Sequence, residues 1–352
     1  MASPAPDCLI AVDAMGADLG PAEVVAGVAD ALKNVPILGG VLLFGQGDVL
    51  RPLLSATGLD RNSRLTLVPC AEVIGMDEKP IAALKQKKDA SMVRAIEAVK
   101  EGRAHAVLSC GNTGALMAGG TLRLRPLPGV ERPALATMIP TRHGRFVLVD
   151  AGANPDATSL HLVHNALLGA GYLRAAFGVA RPRVGLLTIG TEEGKGNPLV
   201  NQAHALFRRL PDDLLNYTGL VEGFQLWDNR VDVVACDGFT GNVLLKSWES
   251  LFHSLKDYTR DEIRRNPLRM LGYLMASGAF KAMKARLTPD QTGGAPLLGL
   301  RGPVFKAHGS SNRLAIRNAI RIACEAVTHN VAASAASDIE RANLALKAAP
   351  VA

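Results

Sequence analysis

The sequence predicts a doubly wound, three-layer α/β/α catalytic domain over residues 1–335, with a protruding helical hairpin at 247–286 and a helical tail at 336–352. Three observations carry this. Short apolar runs alternate with helix-periodic stretches through nearly the whole chain, as in a parallel sheet covered by helices on both faces. Six of those runs end in glycine-, asparagine- or aspartate-bearing loops, as strands do at the ligand-binding edge of an open sheet. Residues 247–286 abandon the alternation and read as helix throughout, broken at Asn266-Pro267.

Cys8–Asp13 reads as the first strand, and Pro21 suits the first residue of a helix running to Asn34. Val41–Phe44 is a strand, Asp48–Ser55 a short helix and Leu65–Val68 a strand. Lys79–Lys88 is basic and polar, a surface loop or short helix with Lys79, Lys85, Lys87 and Lys88. Ser91–Glu101 is a helix with Ser91 at its N-cap. Ala104–Leu108 is a strand, followed by a Gly-Asn-Thr-Gly loop and a small-residue helix. Leu124–Pro133, rich in proline and glycine, marks a hinge or lobe boundary. Leu135–Ile139 and Arg145–Val149 are paired strands joined by a turn at Pro140–Gly144. Then come a helix at Thr158–Phe177, a strand at Arg183–Ile189, a helix at Pro198–Arg209 and strands at Tyr217–Val221 and Val231–Ala235. A last amphipathic helix spans Arg313–Val331.

Of the 352 residues, 48% are hydrophobic and 20% charged, an ordinary globular balance. The net charge of +7 favours an anionic partner, but only 4% of residues are aromatic, which leaves few platforms for stacking bases. Nucleic acid is therefore not the expected partner. Phosphate-bearing small molecules, an acidic protein or an anionic membrane fit better. Five scattered cysteines without a CxxC pair fit a reducing cytosol, with neither a disulfide framework nor a structural zinc. The N-terminal apolar run is too short for a signal peptide, and no stretch has the length of a membrane span.

Loops that hand a strand over to a helix aim backbone N–H groups and the helix's positive end at whatever lies above them, and anions bind there. The expectation is that all six gather along one edge. Gly45-Gln-Gly-Asp-Val-Leu50 lacks the third glycine of a dinucleotide fingerprint. Gly190–Lys195 is not a Walker A loop, but it offers a lysine and several N–H groups to an anion. His161 and His164 read as one core and one surface histidine rather than a metal pair, so no metal is expected. Cys110 and Cys236 read as packing residues, because neither has a legible base. What remains is Lys195, His308, Asp13, Asp18, Asp150, Asp237 and many N–H donors. That set suits positioning one anion against an electrophile without a covalent enzyme intermediate.

Seven motifs in order resemble the bacterial acyl-carrier-protein:phosphate acyltransferase family over nearly the whole chain. They are Asp13-Ala-Met-Gly, Gly111-Asn-Thr-Gly-Ala-Leu-Met117, Asp150-Ala-Gly-Ala-Asn154, Ile189-Gly with Glu192-Glu193 and Lys195-Gly-Asn197, Cys236-Asp-Gly-Phe-Thr-Gly-Asn242, Gly293-Gly-Ala-Pro-Leu-Leu-Gly299 and Lys306-Ala-His-Gly-Ser-Ser311. The resemblance implies a homodimeric α/β/α enzyme of the isopropylmalate dehydrogenase and phosphotransacetylase type. It implies acyl transfer from acyl carrier protein to inorganic phosphate, a substrate rather than a cofactor. It also implies a cytoplasmic protein at the membrane periphery that supplies a downstream membrane acyltransferase. Lys195 and Asn242 match positions associated with activity. The expected substrate- and phosphate-binding set is Asp13, Gly16, Asn112, Thr113, Asp150, Asn154, Asn197, Asp237, Thr240, Gly241, His308, Ser310 and Ser311. Ala17, Cys110 and Thr188 depart from the family's usual residues without removing a candidate catalytic group.

Lys256–Arg286 holds eight basic and three acidic residues, net +5. Within it, Met270–Phe280 is apolar. The hairpin suits a dimer interface whose tip touches anionic lipid through Leu271, Leu274, Met275 and Phe280. Two other function classes fit the sequence: a phosphate acyltransferase using coenzyme A thioesters, and a non-enzymatic lipid-surface scaffold.

Overall fold

The computed structural model describes residues 8–142, 144–192, 195–287 and 293–348, and the side chains of all of these but 284–287. Glu193, Gly194 and the last four residues of the expected tail lie outside the described residues. In chain order the strands are β1 (Cys8–Asp13), β2 (Leu38–Gly45), β3 (Leu65–Pro69), β4 (Ala106–Ser109), β5 (Ala134–Pro140), β6 (Arg145–Val149), β7 (Arg183–Thr188), β8 (Asn216–Glu222), β9 (Val233–Ala235), β10 (Ala295–Leu298) and β11 (Val304–Lys306). The helices are α1 (Pro21–Asn34), α2 (Gly47–Ala56), α3 (Pro80–Gln86), α4 (Ser91–Lys100), α5 (Thr113–Leu124), α6 (Ser159–Phe177), α7 (Pro198–Phe207), α8 (Gly238–Arg264), α9 (Pro267–Leu287), α10 (Arg313–Thr328) and α11 (Val331–Ala348).

The strands form one sheet in the order β3-β2-β1-β4-β11-β10-β5-β6-β9-β7-β8. Its apolar strands are buried by helices on both faces, which gives the expected three layers. One face packs residues such as Val28, Leu167, Ile316 and Ile339 from α1, α6, α10 and α11 into a continuous core. The other face is divided. α4 and α5 cover the first half with Met92, Ile96 and Leu116, and α8 covers the second half with Leu244, Leu245 and Trp248. Trp248 anchors α8 edge-on against Phe146, with ring centroids 6.1 Å apart.

The sheet is mixed rather than wholly parallel, which corrects the expectation of six loops along one edge. β1, β2, β3, β4 and β11 run parallel, but β10 is antiparallel to both β11 and β5, and β5 is antiparallel to β6. The block β6, β9, β7 and β8 therefore runs opposite to the first block. Register brings the opposed tips close. Lys306 pairs with Ala295, Leu297 with Leu135, and Ala136 with Val149. Lys306 and Asp150 thus differ by two residues along the strand axis, about 7 Å. Both sets of loops flank the junction of two staggered half-sheets.

Three local readings change. Ser91 is the first residue of α4, with Ala90 at the cap, and its hydroxyl reaches Asp13 instead. β10 is a strand that the reading of the chain left out. The hairpin's first helix begins at Gly238, and the apolar stretch Met270–Phe280 lies along the body of α9 rather than at the turn near Asn266. No helix among the described residues is long and apolar enough to cross a membrane.

Candidate active site

Loops from the first block converge on Asp13. Its buried carboxylate accepts hydrogen bonds from Ser109 Oγ (2.6 Å), Ser91 Oγ (2.7 Å) and the Met15 amide (3.2 Å). The Gly16 and Gly111 backbones touch: a methyl at Gly16 would sit 2.3 Å from Gly111 Cα. Asp18 N–H donates to Gly309 O at 2.8 Å, which ties the β1 loop to the β11 loop. His308 Nδ1 accepts from the Ser310 amide and is 2.8 Å from Ser310 Oγ. Burial lowers the His308 pKa, and because Nδ1 accepts from the Ser310 amide, the neutral ring carries its proton on Nε2. Ser311 is buried, and its amide closes the loop on His308 O.

The second block builds its cluster on Asp150, which is fully buried. Four amides donate to it: Leu135 (3.1 Å), Gly152 (3.0 Å), Ala153 (2.8 Å) and Asn154 (2.7 Å). Burial raises the Asp150 pKa, and these amides pull it back. Asn154 joins through Nδ2 to Asp150 Oδ2 and Pro133 O, and its carbonyl accepts from Gly238 N–H. Gly241 lies on the Asp150 carbonyl, and Asn242 packs over Gly152.

α8 connects the two clusters. It starts beside Asp150 and carries Asn242, Lys246 and Glu249 at the i, i+4, i+7 spacing of one helix face. Lys246 and Glu249 come near enough for their charges to shift His308, and Lys246 also shifts Lys306. Lys195 approaches from the tip of β7, the strand beside β9. Leu186 pairs with Ala235, which puts Thr188 level with Asp237. The Lys195 ammonium is exposed and 2.7 Å from Glu192 Oε1, an ion pair that raises its pKa. Lys195, on the loop after β7, and Asn242, on the second turn of the helix after β9, therefore follow adjacent strand tips at the same edge.

Several residues expected to bind substrate have their side chains committed to the loops. Asp237 caps α8 through the Thr240 amide (2.8 Å) and holds the Thr240 hydroxyl (2.7 Å). Asn197 caps α7, and Asn112 caps α5 while donating to the Gly75, Met76 and Glu78 carbonyls. Thr113 opens α5. These caps fix where the backbone N–H groups of the helix starts point. His161 and His164 are both buried, which corrects the expectation of one at the surface: His161 bonds Glu131 and the Thr158 amide, and His164 bonds Asn343. Lys306, Ser91 and Ser109 were missed as parts of the site. The lysine that opens Lys306-Ala-His-Gly was the available signal.

Burial holds both candidate thiols in the neutral form: Cys110 is pushed up to about 12, and Cys236 is raised well above the ordinary value. Iodoacetamide at pH 8 is therefore expected to leave activity unchanged. Inactivation in step with modification of Cys110 or Cys236 would contradict a packing role.

The fold of two opposed α/β blocks is found in solved phosphotransacetylase structures. A phosphotransacetylase from Streptococcus pyogenes shares it (TM-score 0.61, 18% identity, covering 91% of this chain and 94% of that chain). So does a branched-chain phosphotransacylase from Enterococcus faecalis (TM-score 0.58, 16% identity, 91% and 99%). Residues 8–334 match the family described as "Fatty acid synthesis protein", and the chain belongs to that family. Its relatives include the phosphate acyltransferase of Heliobacterium modesticaldum, 44% identical over 325 residues (92% of this chain, 96% of the relative). The phosphate acyltransferase of Alkalilimnicola ehrlichii is 45% identical over 314 residues (89% and 91%).

Proposed function

We propose that the protein transfers a fatty acyl group from acyl carrier protein to inorganic phosphate, giving acyl phosphate for phospholipid synthesis. A phosphate oxygen attacks the thioester carbonyl, the C–S bond breaks, and the carrier leaves as a thiol. Lys195 offsets phosphate charge, Asn242 and loop N–H groups hold phosphate or the developing oxyanion, and His308 Nε2–H donates to phosphate. No cofactor is required.

One observation carries this reading. Ile189, Phe224 and Phe239 follow within four residues of the ends of β7, β8 and β9, which are neighbours in the sheet and run in the same direction. They are 84%, 67% and 67% exposed. Exposed apolar side chains after the same strand tips that lead to Lys195 and Asn242 suit a substrate with a hydrocarbon chain beside a site for an anion. The test is thiol release from acyl-acyl carrier protein with and without phosphate. Phosphate-dependent release is expected, and its absence would leave the lipid-surface scaffold. Parallel assays with acyl-coenzyme A decide the donor.

The hairpin serves a homodimer and a peripheral contact with anionic membrane in the cytoplasm. Its exposed apolar residues support this, among them Leu271, Leu274 and Met275, the last 85% exposed; Phe280 rests on Tyr273. Arg265 and Arg269 beside the turn both pair with Glu262, and acidic headgroups would compete for them. Lys79, Lys85 and Lys88 offer acyl carrier protein a basic surface, whereas Lys87 is tied to Glu78 and the Val73 carbonyl. Leu271→Glu/Leu274→Glu is expected to abolish flotation with anionic liposomes while sparing thiol release in solution. Unchanged flotation rules the hairpin out as the anchor.

A further inference from the structure

β11 ends on Lys306, which is paired with Ser109 of β4 on one side and Ala295 of β10 on the other. Its half-buried ammonium donates to the Cys110 carbonyl at 3.0 Å and to the Ala307 carbonyl. Cys110 opens the loop that holds Asn112 and Thr113, and Ala307 opens the loop that holds His308, Ser310 and Ser311. One cation therefore grips the roots of two candidate binding loops.

The grip also sets where amides point. A peptide unit is planar and trans, so a carbonyl turned toward the lysine turns the next N–H away from it. The Ala307 carbonyl thus aims the His308 N–H away from Lys306. The N–H groups of Thr113, Gly114, His308 and Gly309 have no acceptor among the described residues. Unpaired amides of this kind, two of them in the first turn of α5, suit an oxyanion. We propose that Lys306 is a positioning residue, which holds these two loops at the spacing that inorganic phosphate requires. This rests on reading the junction as a phosphate site.

The charged and titratable groups around Lys306 are Asp13 and Asp18 from the β1 end, Cys110 beyond β4, Lys246 of α8 and His308 two residues further on. Burial lowers its pKa below that of an ordinary lysine, Lys246 adds to the effect, and Cys110, Asp18 and Asp13 oppose it. The ammonium is lost as pH rises through that lowered value, so phosphate affinity falls on the alkaline side. Stability moves the other way. The unfolded chain holds this proton more tightly than the fold, so the Lys306 contribution to stability grows as pH rises through the same window. An alkaline loss of phosphate affinity caused by Lys306 is therefore not unfolding.

The experiment compares wild type, Lys306→Met and Lys306→Arg in three readouts: KM for phosphate against pH, KM for the acyl thioester, and the Tm rise on adding inorganic phosphate. Lys306→Met is expected to raise the phosphate KM about 10- to 100-fold, with the thioester KM moving less than about twofold. It is also expected to lose the phosphate-induced Tm rise. Lys306→Arg is expected to keep a phosphate KM closer to wild type and to lack the alkaline increase, because guanidinium does not titrate there. An unchanged phosphate KM in Lys306→Met, or a rise in the thioester KM instead, overturns the proposal. Should Lys306→Met not fold, an alkaline increase persisting unaltered in Lys306→Arg overturns it equally. If wild type releases no thiol in response to phosphate, the functional reading has failed on its own. The phosphate-induced Tm rise then decides Lys306: its loss in Lys306→Met supports the proposal, and an equal rise in both proteins overturns it.

Discussion

Asn242→Ala and Lys195→Ala are each expected to lower kcat by roughly 100- to 1000-fold, the usual cost of removing a donor that meets developing negative charge. Both side chains are exposed, so truncating either removes little packing. Asn242 rides on the second turn of α8 over Gly152, and Lys195 stands at the neighbouring strand tip with Glu192 as its partner. Thiol release should therefore collapse while thermal unfolding stays at the wild-type temperature. A folded Lys195→Ala with wild-type turnover would remove that lysine from the mechanism. A variant that loses activity only by melting would show a structural role instead.

Gly241→Ala is expected to have the largest effect on stability. A methyl there would lie 1.9 Å from the Asp150 carbonyl oxygen and 3.0 Å from Cys236 Sγ. The first obstacle is backbone, held by a carboxylate with four amides on it, so it cannot swing aside as a side chain would. Either α8 lifts from the sheet or the Asp150 loop is forced out. A cost of about 3 kcal/mol or more is expected, at the upper end of overpacking penalties. Asn242 is the next residue, so activity should fall too. Gly272→Ala in α9 is the control. Nothing lies within 4 Å of its added methyl, and helix propensity alone should make it neutral or stabilising by up to about 1 kcal/mol. Equal urea midpoints for Gly241→Ala and wild type would mean that α8 does not seat against Asp150 as described.

Much of the fold was legible because its signals are local. Proline at the start of α1, the small-residue helix after Gly111-Asn-Thr-Gly and the break at Asn266-Pro267 each announce an element within a few residues. The reversal of the sheet was half legible. The pairing of β5 with β6 follows from two apolar runs and a turn, but its consequence, that later strands run the other way, depends on partners far apart in the chain. β10 and β11 have only four and three residues and lie among prolines and glycines, too short for a periodicity.

The site was legible as a set of loops and less so as a set of roles. Asparagine or aspartate before a helix looks the same whether it caps the helix or meets a ligand. The structure commits Asp237, Asn197 and Asn112 to capping. Lys306 was opaque for the opposite reason. Its meaning lies in the Cys110 carbonyl, 196 residues away in the chain. Composition pointed to an anionic partner and the loop motifs to where it would bind, and only the tertiary arrangement separates side chains left open from side chains that hold the loops still.

The most direct test is a double-mutant cycle on Lys195 and Asn242, read as kcat for phosphate-dependent thiol release. Two groups acting on one bound phosphate lose their joint effect when either is removed. The Lys195→Ala/Asn242→Ala protein should therefore be scarcely slower than the more damaged single variant. Losses that multiply in full would mean that the two residues act independently, and would contradict a shared anion site at the junction of the half-sheets.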